Sequence, residues 1–390
     1  MNILAIESSC DETACAILSF DPADPSSPGR LLSNAVVSQI DLFKSYGGVI
    51  PEVAARSHLE AILPVIDQAF SDAGFTKHSQ NDWDKIDALA VTHTPGLLGS
   101  LLIGTLTART LAILHNKPLY PIHHLKSHIY SNWLQEAPLP AFPLLALVIS
   151  GGHTQIIHMP SHNQFKIIGT TLDDAVGECF DKVAKILGLP YPGGPSIAKA
   201  AQQGDPKKYP LPHPKIKNLD FSFSGLKTAV LRSVQKAVGV GLDFPSHELK
   251  TRLTPEQVAD FAASFEDTAC NILLEKLALA LHQYPDTKSI VFAGGVSANQ
   301  RLREKTQLSQ GDATGGEANE SLAVIAARDE QNGDRKRASS QSKTKLYFPP
   351  LSFSGDNAAM VAMACAYEIK SGIKPSDPYK ITLAPRKEIC

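Results

Sequence analysis

The chain is predicted to fold as two related domains of mixed strands and helices, and three observations carry that expectation. Its 390 residues exceed what one core comfortably holds and suit two domains. A strand, a small polar turn and a second strand open the chain, and the same plan returns at Leu144. Glycine pairs then punctuate strand and helix boundaries at Gly151-Gly152, Gly193-Gly194 and Gly294-Gly295.

The opening strand, Ile3 to Ser8, and the apolar stretch Thr13 to Leu18 predict a hairpin. Ile86 to Val91 reads as a further strand. Thr94-Pro-Gly-Leu-Leu-Gly99 then marks the entry to a long apolar helix reaching about His115, in which Gly96, Gly99 and Gly104 permit tight packing and some ligand proximity. In the second half, Leu144 to Ser150 is a strand, Gly151-Gly-His153 a turn and Thr154 to His158 a strand again. Asp174 to Leu187 has helical spacing with Gly188 as its C-terminal cap, and Pro192-Gly-Gly-Pro195 reads as a rigid turn. Strand Ser289 to Ala293 meets Gly294, and Ser297 is placed to cap a helix beginning near Asn299. From about Glu304 to Lys345 the composition shifts to Gly, Ser, Gln, Asn and mixed charge, which predicts a partly disordered surface insertion. A final apolar helix is expected from Ala358 to Ile369.

Composition excludes several classes. With 43% hydrophobic and 19% charged residues the chain reads as an ordinary globular protein, and its net charge of -2 offers no global attraction for nucleic acid. RNA binding would therefore need local patches or partner proteins; Lys207, Lys208, Lys215 and Lys217 form one candidate cluster beside the commoner reading of solvated loop charges. Six scattered cysteines without a C-x-x-C pair disfavour a zinc ribbon or dithiol centre and suit reduced thiols. A strand at the very start leaves no room for a targeting segment, and no apolar run approaches the roughly 20 residues of a membrane span, so a cytoplasmic location is expected.

The most informative chemistry is in Pro121-Ile-His-His-Leu-Lys-Ser-His128. His124 and His128 lie four apart at a predicted helix start, project from one face and can share a metal ion, although such a pair is also often plain structure. A metalloprotease of the H-E-x-x-H type has this spacing, but Leu125 stands where its water-activating glutamate belongs. Asp356 follows a glycine and precedes a helix; it is either an N-cap or a hard third ligand. The run Val148, Ile149, Ser150, Gly151, Gly152 exposes backbone N–H groups suited to phosphate oxygens. Asp181, on the helix before the second glycine pair, can accept from ribose hydroxyls or pair with Lys182 or Lys185. Asp11 and Glu12 either cap a turn or accept a proton and orient a nucleophile.

Taken together, these residues resemble the tRNA N6-adenosine threonylcarbamoyltransferases, also called the universal sialoglycoprotease-like family. The matching segments are Ile6-Glu-Ser-Ser-Cys-Asp-Glu-Thr13, Gly47-Gly-Val-Ile-Pro-Glu-Val-Ala-Ala-Arg-Ser-His58, Pro95-Gly-Leu-Leu-Gly99, His123-His-Leu-Lys-Ser-His128, Ser150-Gly-Gly-His-Thr-Gln155, Phe180-Asp-Lys-Val-Ala-Lys185, Pro192-Gly-Gly-Pro195, Phe223-Ser-Gly-Leu-Lys-Thr-Ala229, Gly294-Gly-Val-Ser-Ala-Asn299 and Gly355-Asp-Asn357. They keep the family's order, cover nearly the whole chain outside the insertion, and look like the bacterial branch. Two departures stand out: Lys126 and Ser127 replace the Glu and Gly of many bacterial relatives, and Ser352 to Gly355 differs from the usual Cys-Thr before the aspartate.

The resemblance implies an α/β fold of the actin, sugar-kinase and Hsp70 type (ASKHA), with two related lobes around a nucleotide cleft. Residues 1–122 with about 358–390 would form the N-terminal lobe, and 123–357 the C-terminal lobe. It implies transfer of the threonylcarbamoyl group of threonylcarbamoyl-AMP to the N6 amine of the adenosine 3′ of the anticodon in tRNAs reading ANN codons. His124, His128 and Asp356 would hold one divalent ion, Fe(2+) in first place and Zn(2+) in second. Val148, Ile149, Ser150, Gly151, Gly152, Asp181, Gly194 and Asn299 would hold the adenylate, with Asp11 and Glu12 activating or positioning the amine. Implied partners are tRNA, a smaller paralogous subunit (TsaB-like) and a P-loop ATPase (TsaE-like). The competing expectations are a metalloendopeptidase, a small-molecule kinase on the same fold, which needs no His-His-Asp set, and a non-catalytic scaffold.

Overall fold

The computed structural model describes residues 1–24, 29–75, 79–308 and 344–389. The chain divides into two compact units: Met1–Pro140 with Met159–Lys166 and Phe348–Cys390, and Ala141–His158 with Ile167–Tyr347. The first boundary lies after Pro140, later than the expected 122, and the return to the first unit comes at Phe348, earlier than 358. Both differences have one effect: His124, His128 and Asp356 all belong to the first unit.

The first unit is built on a five-stranded sheet. Strands β1 (Asn2–Glu7) and β2 (Glu12–Ser19) form the expected hairpin, with Asn2 opposite Ser19 and Glu7 opposite Ala14. Strands β3 (Arg30–Ser38), β4 (Ala88–Thr94) and β5 (Leu119–His123) complete the order β3-β2-β1-β4-β5, in which β1, β4 and β5 run parallel. Because strand side chains alternate, Leu4 and Ile6 point into a cluster with Ile62, Val65, Ile66 and Phe70 of one helix and Ala108 and Ala112 of another, while Ile3, Ala5 and Glu7 point to the opposite face.

Among the described residues eight helices precede residue 255, short 3-10 turns aside. They are α1 (Ile40–Lys44), α2 (Pro51–Asp72), α3 (Gln80–Asp84), α4 (Leu98–Leu114), α5 (His124–Tyr130), α6 (Val176–Leu187), α7 (Gly193–Ala201) and α8 (Ser224–Ala237). The glycines at the entry to α4 are packing glycines: a Cβ on Gly96, just before the helix, would meet Ser9 O at 2.6 Å and one on Gly99, in its first turn, would meet Ala55 Cβ at 3.1 Å. Helix α11 (Ala358–Lys370), buried along almost its whole length, closes the first unit and agrees with the predicted final helix.

The second unit repeats the plan. Strands β6 (Leu144–Ile149), β7 (Thr154–Met159), β8 (Lys166–Thr170), β9 (Ser289–Ala293) and β10 (Lys345–Tyr347) have the order β8-β7-β6-β9-β10, the same sequence of positions as β3-β2-β1-β4-β5. The expected duplication is thus present strand for strand. Its longest helix, α9 (Pro255–Gln283), starts at a capping box in which Thr254 Oγ1 accepts from the Gln257 N–H and the Gln257 side chain accepts from the Thr254 N–H.

Three local expectations are corrected. Pro192-Gly-Gly-Pro195 is the first turn of α7 and not a free turn. Ser297 lies in a short 3-10 turn, and it is Asn299 whose Oδ1 accepts the Leu302 N–H at 2.9 Å to start α10 (Gln300–Leu308). The expected insertion does not begin at Glu304, which is inside α10; residues 309–343 lie outside the described residues. Cys10, Cys15, Cys179, Cys270 and Cys365 are free thiols. Among the described residues no helix is long and apolar enough to cross a membrane.

Candidate metal centre and glycine turns

Strand β5 runs into α5 without a loop, so His124 and His128 are held at the end of the first sheet, one helical turn apart. Their rings meet edge to face, with centroids 4.6 Å apart. Asp356 comes from the residue before the N-cap of α11. That cap is Asn357, whose Oδ1 accepts the Met360 N–H at 3.0 Å, so the capping alternative for Asp356 is corrected. Asp356 Oδ1 lies 3.0 Å from His128 Nε2 and 3.7 Å from His124 Nε2.

These three residues offer ligand atoms all within 4.8 Å of one another. Donors around a tetrahedral ion with bonds of about 2.1 Å are roughly 3.4 Å apart, a value that the two carboxylate distances bracket. His128 gives a second test. It is fully buried, neither ring nitrogen makes an aligned hydrogen bond, and the 3.0 Å approach of Asp356 is proximity without hydrogen-bond direction. An unsatisfied buried imidazole is costly, and an ion on Nε2 would remove that cost at this nitrogen.

A further carboxylate orients the first histidine. Glu7, wholly buried at the end of β1, accepts from the Ser9 N–H at 2.6 Å and from Thr92 Oγ1 at 2.5 Å, and its Oε2 lies 3.3 Å from His124 Nδ1. Ser9 Oγ is also 3.2 Å from that nitrogen. A proton on Nδ1 shared with Glu7 would leave the Nε2 lone pair available to an ion that Asp356 also ligates. Burial opposes charge on His124, but Asp356 and Glu7 outweigh it and raise the imidazole to about 9. Burial likewise opposes charge on Glu7, and His124 reverses this and holds the carboxyl below its usual range.

The turn residues Cys10 and Asp11 and the first residue of β2, Glu12, stand beside this cluster. Burial, then the charges of Asp356 and Asp11, push the Glu12 carboxyl well above its ordinary range, and Glu12 Oε1 accepts from Ser38 Oγ at 3.3 Å. His58 of α2 supports the loop from below: its Nε2 lies 2.9 Å from Cys10 O and its Nδ1 2.7 Å from Thr13 Oγ1.

In the second unit, β6 ends at the turn Ser150–His153. A Cβ on Gly151 or Gly152 would meet nothing within 4 Å, so this backbone faces open space. Gly177, in the first turn of α6, is a packing glycine whose added Cβ would lie 2.6 Å from Ser150 O. The other pairs divide the two roles. Gly193 packs on Asp181, Gly294 (φ 87°) packs on Ile149 O, and Gly194 and Gly295 face open space. Asp181 Oδ1 accepts the Gly193 N–H at 2.6 Å, joining α6 to the start of α7, while Lys182 pairs instead with Asp174 and Glu178. Asn299 Nδ2 donates to Glu266 Oε1 at 2.6 Å, and Glu266 lines a cleft of about 420 Å³ with Ala198, Gln202, Gln300 and Arg301.

Comparison with known proteins decides among the readings. Residues 30–363 match the family TsaD: tRNA N6-adenosine threonylcarbamoyltransferase. A protein of that name from Symbiobacterium thermophilum is 44% identical over 373 residues, covering 95% of this chain and 93% of its own. One from Bacillus subtilis is 40% identical over 376 residues, covering 96% and 92%. The chain belongs to this family. Among solved structures, HypF of T. kodakarensis superposes with a TM-score of 0.54 at 12% identity, over 95% of this chain and 48% of its own, a likeness of fold alone. The two units are α/β units of the actin, sugar-kinase and Hsp70 type.

For a threonylcarbamoyltransferase chain, the residues expected from sequence fall into two groups. His124, His128, Asp356, Asp11 and Glu12 gather in the first unit; Val148, Ile149, Ser150, Gly151, Gly152, Asp181, Gly194 and Asn299 are in the second. Sequence reasoning gave no role to Glu7, Ser9, Thr92 or His58. The signal for Glu7 was present: a carboxylate continuing an otherwise apolar strand, on the inward parity of Ile3 and Ala5. The protease reading gains nothing, because Leu125 is buried and Glu7, the carboxylate beside His124 Nδ1, is committed to Ser9, Thr92 and His124.

Proposed function

We propose that this chain transfers the threonylcarbamoyl group of threonylcarbamoyl-AMP to the N6 amine of the adenosine 3′ of the anticodon in tRNAs reading ANN codons, releasing AMP. The observation that carries the reading is the His124, His128 and Asp356 triad braced by Glu7, a feature that a kinase on this fold does not require. A divalent ion held by that triad, Fe(2+) before Zn(2+), would supply Lewis-acid stabilisation of charge on phosphate or carbamoyl oxygens.

The chain's own residues do the rest. Backbone N–H groups of Gly151 and Gly152 hold the donor phosphate, and the lack of side chains there allows close approach. Asp181, Gly194 and Asn299 bind the nucleoside end, Asp181 with its carboxylate already oriented by Gly193. The amine nitrogen bonds to the carbamoyl carbon, the bond from that carbon to the phosphate oxygen breaks, and AMP leaves with the electron pair. The proton leaving the amine passes to Asp11 or Glu12. An exocyclic adenine amine is a poor nucleophile, so positioning contributes more than prior deprotonation.

Partners fit the charge. The exposed Lys207, Lys208, Lys215 and Lys217 are the candidate RNA contacts. The exposed leucines Leu59 and Leu63 of α2 and Leu98, Leu102 and Leu106 of α4, at i, i+4 spacing on neighbouring helices, are the surface proposed for the smaller paralogous subunit; a P-loop ATPase completes the set. The test is an assay with these partners, threonylcarbamoyl-AMP and an ANN-decoding tRNA, with the modified nucleoside detected by mass spectrometry. Product from the parent and none from Gly152→Val supports the reading; peptide cleavage without tRNA modification overturns it.

A further inference from the structure

The metal triad spans two elements, α5 and the start of α11, so its geometry depends on how those helices are held to each other. At one end the contact is the triad itself, His128 against Asp356. A second contact lies far along α11. Lys126 leaves α5 about 200° around the helix from His124, on the side away from the histidines. It is 5% exposed, and its Nζ donates to Glu368 Oε1 at 2.5 Å; Glu368 is 9% exposed. From Ala358 to Glu368 the helix rises about 15 Å, so the two contacts are widely separated. Tyr130 and Tyr367 stack beside the second, with centroids 5.1 Å apart, and the Lys126 ammonium lies 5.6 Å from the Phe165 ring centroid.

A buried ion pair is a poor stability device, because removing two charges from water offsets most of their attraction. What it supplies is direction: a single donor and acceptor that fix the separation and rotation of two helices. We propose that Lys126 and Glu368 are positioning residues for the metal triad, tying α5 to α11 so that His124, His128 and Asp356 converge. This rests on the metal reading given above.

The test uses the full chain and cobalt(II) as the probe, with affinity from titration and geometry from the visible absorption band. Lys126→Met alone leaves Glu368 buried without a partner and is expected to unfold readily, so the deciding variant is Lys126→Met with Glu368→Met, which removes the tie and both charges. It should keep the parent's circular dichroism yet bind cobalt about tenfold or more weakly, with an altered band. Lys126→Arg, which keeps a donor, should stay close to the parent. Parent-like affinity and band in the double variant overturn the proposal while leaving the metal site intact. If the parent itself binds no cobalt, or His124→Ala binds it equally well, the metal reading falls and this proposal falls with it.

Discussion

Glu7 Oε2 stands 3.3 Å from His124 Nδ1, reaching it from the end of the central strand of the first sheet. The strand's parity sends Glu7 to the face opposite Leu4 and Ile6, and two further contacts, to Ser9 and Thr92, fix the carboxylate there. An orienting partner of this kind typically contributes about 10- to 100-fold in metal affinity. Glu7→Gln should therefore weaken zinc binding by about that factor, measured by competition with a chromogenic chelator. Undiminished affinity would remove Glu7 from the account.

His58 is a test of the acidic loop. The ring is fully buried and bonds both Cys10 O and Thr13 Oγ1, one residue to each side of Asp11 and Glu12. His58→Ala removes the ring and leaves both groups without this partner. The expected loss is about 3 kcal/mol in urea unfolding, with transfer activity falling more than the folded fraction does.

The two glycine roles in the second unit separate stability from binding. Gly177→Ala forces a Cβ to 2.6 Å from Ser150 O and should cost about 1–3 kcal/mol of unfolding free energy. Gly152→Ala meets open space; it should change stability by less than about 0.5 kcal/mol while weakening binding of a non-hydrolysable adenylate analogue. Calorimetry of both variants checks the pair, and equal effects of the two on stability would contradict the assignment.

Low pH gives a further check. Burial, aided by the charges of Lys370 and Lys126, pushes His162 from near 6.5 down to about 4. Its folded value lies below its unfolded value, so its contribution to stability is present above about pH 6.5 and is lost as pH falls toward 4, where the unfolded chain binds more protons. His162→Phe, which keeps a ring against Tyr367 (centroids 4.2 Å apart in the parent), should flatten the fall in unfolding free energy between pH 6.5 and 4.5.

The parts of this molecule that were legible in its sequence are those with local signals. The hairpin at Ile3 to Leu18, the Gly188 cap of α6 and the apolar helix after Asn357 each announce themselves within a few residues. Helices α2 and α9 did not, although Ile62, Val65, Ile66, Ala69 and Phe70 give the first a clear stripe and Thr254-Pro-Glu-Gln257 gives the second a capping box. Asp356 was legible from its neighbours only as an N-cap or a third ligand, and the choice needed the family resemblance or the fold, because convergence with histidines more than two hundred positions earlier has no local trace. The same holds for the meetings of Glu7 with His124 and of Lys126 with Glu368, which exist only once β1, α5 and α11 are packed together.

The most direct measurement is the anomalous difference density of a zinc-loaded crystal, recorded at the zinc edge. The account predicts one peak per chain, about 2.0–2.2 Å from His124 Nε2, His128 Nε2 and an oxygen of Asp356, and its loss in Asp356→Ala. A zinc-loaded crystal with no peak there, or with its peak on other side chains, would contradict it.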